Sequence, residues 1–374
     1  MVLTRGAYRN AMEAFRWLPN EILVDIIQHS TAADQASLSR VSRLFHDLCL
    51  PVLYRIVQIK DKNFNSVILF CSAMIEKPSR AAVVRSFTVD VCSGNRFNTR
   101  QDLLLASLKL MSTLDHLSLS LSALDDRHCF ILLEESNFPQ LRSCEISAPS
   151  NSTFTAQQIS DAVALFLTRH STLKRFHLQD LFSRLTSTSI RVSLPNLEYY
   201  GGSSTLIPAI DATGLKKVQL TWSSESVADV EAIIIGVSAM TKPDFPFVFS
   251  HIFSCPPRSQ SIIIKEIVTF VSKHMRHTKT LRLEAMQSPD TIAHVTECLP
   301  CFTGLVYLSV DWISFYPPTT SKAVDRITVE GWGKVCPTLE ACCLNSFAWR
   351  KVNNRWKVFP VKEFGVLAGL PEIS

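Results

Sequence analysis

A short pattern recurs along most of this chain: an apolar residue, two free positions, a second apolar residue, one free position and a third apolar residue. Leu114-x-x-Leu117-x-Leu119 is the cleanest copy. Val84-x-x-Phe87-x-Val89, Leu141-x-x-Cys144-x-Ile146 and Leu173-x-x-Phe176-x-Leu178 follow the same grammar. So do Leu215-x-x-Val218-x-Leu220, Leu305-x-x-Leu308-x-Val310 and Leu339-x-x-Cys342-x-Leu344, and weaker copies start at Leu197, Phe245 and Thr278. Successive starts step by 30, 27, 32, 24, 18, 30, 33, 27 and 34 residues. The last two apolar positions alternate with free ones, so each copy predicts a strand with one buried face.

The segments between copies have helical spacing. Asp102 to Met111, Ile159 to Arg169, Val227 to Met240, Ile263 to Met275 and Ala293 to Cys301 each place apolar residues three or four apart. Pro139, Pro195 and Pro337 each sit two residues before a template leucine, where a turn feeds a strand. Strand, turn, helix, turn in this period is the pattern of leucine-rich repeats, which stack into a solenoid. An ordinary α/β sheet of βαβ units has the same alternation. The recurring L-x-L favours the solenoid. Residues between the leucines then form a recognition face, with His116, Arg175, His177, Lys217, Arg282 and Tyr307 as candidate client contacts. Trp312 joins them as an aromatic anchor, and Trp222 and Tyr316 read as further exposed aromatics. Cys342-Cys343 is expected to alternate between core and surface.

The first sixty residues have a different pattern. Leu18, Ile22 and Ile26 fall four apart, with Leu23 and Ile27 beside them. Pro19 suits the first position of a helix, where its missing N–H leaves no bond unmade. Thr31-x-x-Asp34 resembles a capping box. Leu38, Val41, Leu44, Phe45 and Leu48 then continue at helical spacing, and Pro51 predicts a break before a third short helix, Val52 to Arg55. Three such helices carry more large apolar side chains than they can cover among themselves. Either the rest of the chain or a separate protein covers the surplus.

The ordered set Leu18-Pro19-x-Glu21-Ile22-Leu23-x-x-Ile26, Leu38-Ser39-x-Val41-Ser42-Arg43-x-Phe45 and Leu50-Pro51-x-Leu53-Tyr54-Arg55 resembles an F-box. It is similar to the version common in large fungal families of F-box proteins that carry a leucine-rich body. The resemblance implies a three-helix module that binds a Skp-type adaptor and, through it, a cullin. It implies adaptor contacts at Leu18, Pro19, Ile22, Leu23, Ile26, Leu38, Val41, Ser42, Phe45 and Leu53. Phe45 and Tyr54 stand where many family members have tryptophan, and both keep an aromatic ring.

The expected fold class is therefore α/β: an N-terminal three-helix F-box, then an irregular leucine-rich-repeat-like solenoid of alternating strands and helices. Residues 1–16 form an arm, 17–60 the F-box, and 61–374 the recognition body, with a C-terminal cap from about 336. The expected function is substrate recognition for an SCF-type ubiquitin ligase, with an unknown protein client. The alternative is a leucine-rich interaction scaffold without a ligase role.

Other classes find little footing. The chain is 47% hydrophobic and 19% charged, enough for an ordered core. Its net charge of +5 is scattered rather than gathered in a stripe, so no nucleic-acid partner is expected. No apolar run reaches the length of a membrane span, so no membrane is expected either. Eleven cysteines form no disulfide framework, which points to a reducing compartment, cytoplasmic or nuclear. Cys298-x-x-Cys301 lacks a second pair and reads as packing rather than a metal site. Gly201-Gly202 has no following Lys-Ser/Thr, and no nucleophile elbow or His-Glu-x-x-His occurs. No catalytic residue, cofactor or metal is expected.

Overall fold

In the computed structural model every copy of the apolar template contributes one strand to a single sheet. The structure describes residues 18–60, 65–91, 101–121, 126–148, 154–180, 185–223, 229–242, 246–253, 257–284, 288–311 and 322–370. Three helices come first: α1 (Asn20–Gln28), α2 (Ala32–Leu38) and α3 (Arg43–Leu53). Strands and helices then alternate: β1 (Ile56–Lys60), α4 (Asn65–Glu76), β2 (Ser86–Val91), α5 (Gln101–Leu110), β3 (His116–Leu121), α6 (Asp126–Glu135), β4 (Ser143–Ala148), α7 (Ala156–Arg169) and β5 (Arg175–Asp180). A helix-poor stretch follows, with β6 (Val192–Ser193), β7 (Tyr199–Ser203), β8 (Ile210–Asp211) and β9 (Lys217–Trp222). The alternation resumes with α8 (Val230–Met240), β10 (Val248–Phe253), α9 (Pro257–His274), β11 (Thr280–Glu284), α10 (Pro289–Cys298), β12 (Tyr307–Asp311), α11 (Lys322–Val335) and β13 (Ala341–Leu344). The hairpin β14 (Phe347–Val352) and β15 (Arg355–Phe359) and the helix α12 (Val361–Ala368) close the chain.

The main sheet has 13 strands in the order β1-β2-β3-β4-β5-β7-β9-β10-β11-β12-β13-β14-β15. Neighbours from β1 to β13 are parallel, and the last two pairings are antiparallel. The short β6 and β8 pair apart from it. Register aligns the template throughout: Phe87, Leu117, Cys144, Phe176, Tyr200 and Val218 share one line across six strands. All six are buried, with the helices packed over them. Burying a side chain of this size stabilises by about 1.5–3 kcal/mol.

Two polar devices hold the copies in step. In most copies the carbonyl of the second residue accepts two N–H groups from the next copy, as Arg85 O does from Asp115 and His116, and Arg142 O from Lys174 and Arg175. The residue before the template is often threonine, and its hydroxyl donates to the carbonyl that opens the preceding copy. Thr113 donates to Val84 O at 3.1 Å, Thr172 to Leu141 O at 2.8 Å and Thr338 to Leu305 O at 2.8 Å. His170 does related work: Phe138 N–H donates to its Nε2 at 2.9 Å and its Nδ1 donates to Phe166 O at 2.6 Å. Burial pushes its pKa down to about 4, so the ring is neutral and can accept from Phe138.

The structure differs from the sequence reading in several places. The N-terminal apolar run divides at Ser39–Ser42 into α2 and α3, because the Ser42 hydroxyl caps α3 by accepting from Phe45 N at 3.2 Å. Pro51 lies inside α3 instead of ending it, and Pro19 is the N-cap of α1 rather than its first residue. The sheet begins at β1, within the segment 17–60 assigned to the F-box. The weak copy at Phe245 starts on a residue outside the described set and is one residue out of phase. In β10 it is Phe249 and His251 that align with Val218 and Leu220. A one-residue slip exchanges the two faces of a strand, so His251 sits in the core at the level of Leu220, where the sequence reading had a free position. Trp222, read as exposed, is fully buried and donates to His251 Nδ1 at 3.0 Å. Burial drives the His251 pKa down to about 3, so its ring is a neutral acceptor.

The C-terminal hairpin closes the far end of the sheet. Asn345 and Ser346 have φ of 50 and 65°, and Asn353 and Asn354 have φ of 51 and 59°. Paired left-handed residues make the turns that match strand twist, and asparagine tolerates them. Trp349 and Trp356 are buried on the helix side. The Trp356 ring lies on Gly333 of α11, where an added Cβ would come within 2.7 Å of it. Gly333→Ala is therefore expected to lower stability by about 1–3 kcal/mol through overpacking. Urea unfolding monitored by tryptophan fluorescence measures this, and an unchanged midpoint would show that the ring does not seat there.

Candidate functional site

The three N-terminal helices bury a small interior and leave apolar side chains outside it. Leu23 is 4% exposed and Ile27 is fully buried. Gln35 fixes the α1–α2 corner, its Nε2 donating to Ile27 O at 2.9 Å and Ser30 O at 3.0 Å. One turn apart on α1, Ile22 is 47% and Ile26 is 50% exposed. Val41, just before α3, is 67% exposed, and Leu44 in its first turn is 49% exposed. Leu18, Leu38, Phe45 and Leu53 are half-buried, and Pro19 and Ser42 are exposed.

The contacts expected from sequence thus divide. Ile22, Ile26 and Val41 face outward, whereas Leu23 belongs to the segment's own interior and is not available as a contact. Its neighbour at i+4, Ile27, packs inside with it, which fixes that face of α1 inward. Leu44 was missed. It lies in the same apolar run, but spacing alone does not say which members of a run face out.

The second region is the sheet face opposite the main helices. Arg175, Tyr199 and Lys217 are adjacent on β5, β7 and β9. The Arg175 guanidinium lies 5.3 Å and the Lys217 ammonium 5.6 Å from the centroid of the Tyr199 ring. Two residues along, His177 Nδ1 donates to Glu145 Oε1 at 3.3 Å, and Gln219 Nε2 donates to His177 Nε2 at 3.3 Å. Glu145 is held below its ordinary pKa, first by the hydrogen bond from His177. Gly201 lies between His177 and Gln219, and a Cβ there would collide with the His177 ring. His116 lies on the same face and adds to the positive field at Glu145. Arg282 is nearly buried and pairs with Glu284 at 3.2 Å. Trp312 and Tyr316 lie outside the described residues.

Half of this face is occupied by the chain itself. The helix α12 lies on it, burying Phe364 and Ala368 against Ala341, Cys343 and Ala348. Tyr307 meets the Phe364 ring edge-on at 6.5 Å, Thr280 donates to Ala368 O at 2.9 Å, and Lys217 donates to Gly369 O at 2.8 Å. Tyr307 and Lys217 are therefore partners of the C-terminal tail. Cys342 and Cys343 are both buried, one under each layer, so the expected surface cysteine is absent from that strand. The run Ala341-Cys342-Cys343-Leu344 carried this signal: it is apolar on both faces and so needs two covers.

No group of three or more metal-binding side chains clusters among the described residues. Cys298 lies 3.7 Å from His294 Nε2, and Cys301 is exposed. No helix among the described residues is long and apolar enough to cross a membrane.

Residues 15–59 match the family model described as F-box-like. The chain carries an F-box-like domain. That domain spans the three helices and most of β1, and the remainder is mixed α/β with alternating strands and helices. F-box domains generally bind Skp-type adaptors, and the match supports a partner of that kind. No curated protein matches the chain.

The tail contact gives Lys217 an unusual titration. Burial first, and then the charges of Arg175 and Arg282, lower its pKa from 10.5 to about 8. Between those values the unfolded chain holds more protons than the folded one, so stability rises with pH across that window. Lys217→Met is expected to abolish this rise. Urea midpoints at pH 7.5 and pH 10 measure it, and a slope identical in both proteins would refute the assignment.

Proposed function

We propose that this chain is the substrate-recognition subunit of an SCF-type cullin ubiquitin ligase. The observation that carries the reading is the outward face of Ile22, Ile26, Val41 and Leu44 on a segment that matches an F-box. These side chains are already about half covered, so a partner that sealed them would add roughly half of the about 1.5–3 kcal/mol that full burial of an exposed side chain gives, for each of the four. That gain offsets part of the cost of association, and the contacts at the margin supply the rest. A Skp-type adaptor is the partner, with Leu18, Pro19, Leu38, Ser42, Phe45 and Leu53 at the margin of the contact. The scaffold alternative required these side chains to be sealed within the chain, and their exposure weighs against it.

We read the body as a leucine-rich-repeat-like solenoid, because parallel strands in chain order, one per template copy, support stacking of successive coils. Its sheet face is the client surface: the part around His116, Arg175 and His177 is open, and the part around Tyr307 lies under α12. On this reading the chain is a non-catalytic adaptor of the cytoplasm or nucleus. A recruited conjugating enzyme supplies the chemistry, and this chain holds client and enzyme together so that transfer becomes effectively unimolecular.

Point substitutions test the proposal better than deletion of residues 1–60, which would strip β1 from the sheet edge. Ile26→Glu with Val41→Glu is expected to abolish co-purification of a Skp-type adaptor and leave the thermal midpoint unchanged, since both side chains are exposed. Ile27→Ala should instead lower stability by about 2–5 kcal/mol, because its side chain is sealed in the interior. Undiminished adaptor binding by the double variant would overturn the proposal.

A further inference from the structure

The second position of each template copy lies just before a strand, so these residues line up along one edge of the sheet. With Arg55, which holds the equivalent place before β1, their order from β1 to β9 is Arg55, Arg85, Asp115, Arg142, Lys174, Glu198 and Lys216. In the sequence successive members of this series are 18 to 32 residues apart, and its cations look scattered. The backbone ladder places them on consecutive strands, roughly 4.8 Å apart.

A cavity of about 440 Å³ at the start of this edge is lined by Arg55 and Arg85 with Asp47 among residues of α1 and α3, and two more open farther along, each beside a proline. One, of about 410 Å³, is lined by Arg55, Arg85 and Arg142 with one carboxylate, Asp115, beside Pro139. The other, of about 280 Å³, is lined by Lys174, Lys216 and Lys242 with one carboxylate, Glu198, beside Pro195. Both repeat the same composition of three cations to one anion. Arg85 is braced by donating to Thr113 O at 3.1 Å and to the Gln140 side chain, and Lys216 pairs with Glu198 at 3.2 Å. Arg55, Arg142, Lys174 and Lys242 have no ion-pair partner among the described residues. The edge is thus built with more positive charge than its own carboxylates neutralise.

We infer that this edge binds an acidic, extended polypeptide segment. The carboxylates select that ligand over a nucleic acid. They fall on the third and sixth strands of the series, so a uniform phosphate backbone would meet repulsion twice. Neither cavity is lined by an aromatic ring on which a base would stack. A peptide offers acidic groups to the two cation clusters and a neutral or basic residue to Asp115 and Glu198. Three strands span about 14 Å, or about four extended residues at roughly 3.3 Å each. The matching ligand therefore carries blocks of acidic residues separated by a single basic one. This inference does not rest on the adaptor reading, since the edge and the exposed α1–α3 face share no side chain.

Fluorescence anisotropy with the full chain tests it. The probe is a labelled twelve-residue peptide of three Glu-Glu-Glu-Lys blocks, and labelled oligothymidylate of equal length is the comparison. Arg55→Ser with Arg142→Ser, and separately Lys174→Ser with Lys242→Ser, are each expected to weaken peptide binding about tenfold or more. Arg350→Ser with Lys357→Ser, on the distant hairpin, should leave it unchanged. All are exposed side chains, and thermal unfolding verifies that each variant is folded. Oligothymidylate should bind more weakly than the peptide. Absence of peptide binding, affinity in both edge variants equal to that of the unaltered chain, or tighter binding of oligothymidylate would overturn the inference. Retention of a Skp-type adaptor by the edge variants would separate failure here from failure of the ligase reading.

Discussion

The whole architecture depends on one repeated constraint: each strand must bury its two template side chains on the helix side while its backbone joins the previous strand in fixed register. A slip of one residue would turn those side chains outward and bring polar ones in. The double acceptance by the carbonyl before most strands, and the threonine hydroxyls two residues earlier, make such a slip costly in hydrogen bonds as well as in burial. With both in place, a side chain's position in the copy sets its place in the molecule. The core, the polar face and the charged edge are three readings of the same ladder.

A parallel sheet extended in this way has two open ends and one uncovered face, and the chain deals with each differently. At the start, β1 follows directly from α3, so the F-box-like domain is joined to the sheet by a strand rather than a loose linker. At the finish, the strand direction reverses in a hairpin whose two tryptophans cover the last leucines. The helix α12 then crosses to the opposite face, where Ala341 and Cys343 leave room for Phe364. This arrangement explains why the polar face is open near β3 to β5 and occupied near β11 to β13.

Irregular spacing has a structural cause. The two shortest steps, 24 and 18 residues, coincide with the stretch from β5 to β9, where a 3-10 turn at Ser204–Ala209 and the β6–β8 pair replace full helices. There Tyr200 fills the core position, and its hydroxyl donates to Ser203 O at 2.8 Å, so a polar atom at a leucine site is satisfied locally. The longer steps accommodate helices such as α7, whose Thr155 and Gln158 form a reciprocal capping box.

Sequence alone determined the existence and period of the strands, most of the helices between them and the three-helix opening, because alternation and helical spacing are local consequences of backbone geometry. It also carried the F-box resemblance, through side chains close together in the chain. Only the tertiary structure decided which of those side chains face out: Leu23 turned inward and Leu44 outward, since that choice depends on how α1 and α3 pack. It alone moved His251 into the core, laid α12 over Tyr307 and Lys217, and gathered Arg55, Arg85 and Arg142 around one cavity. Those outcomes rest on contacts between residues tens of positions apart, and periodicity within a segment holds no information about what will lie across from it.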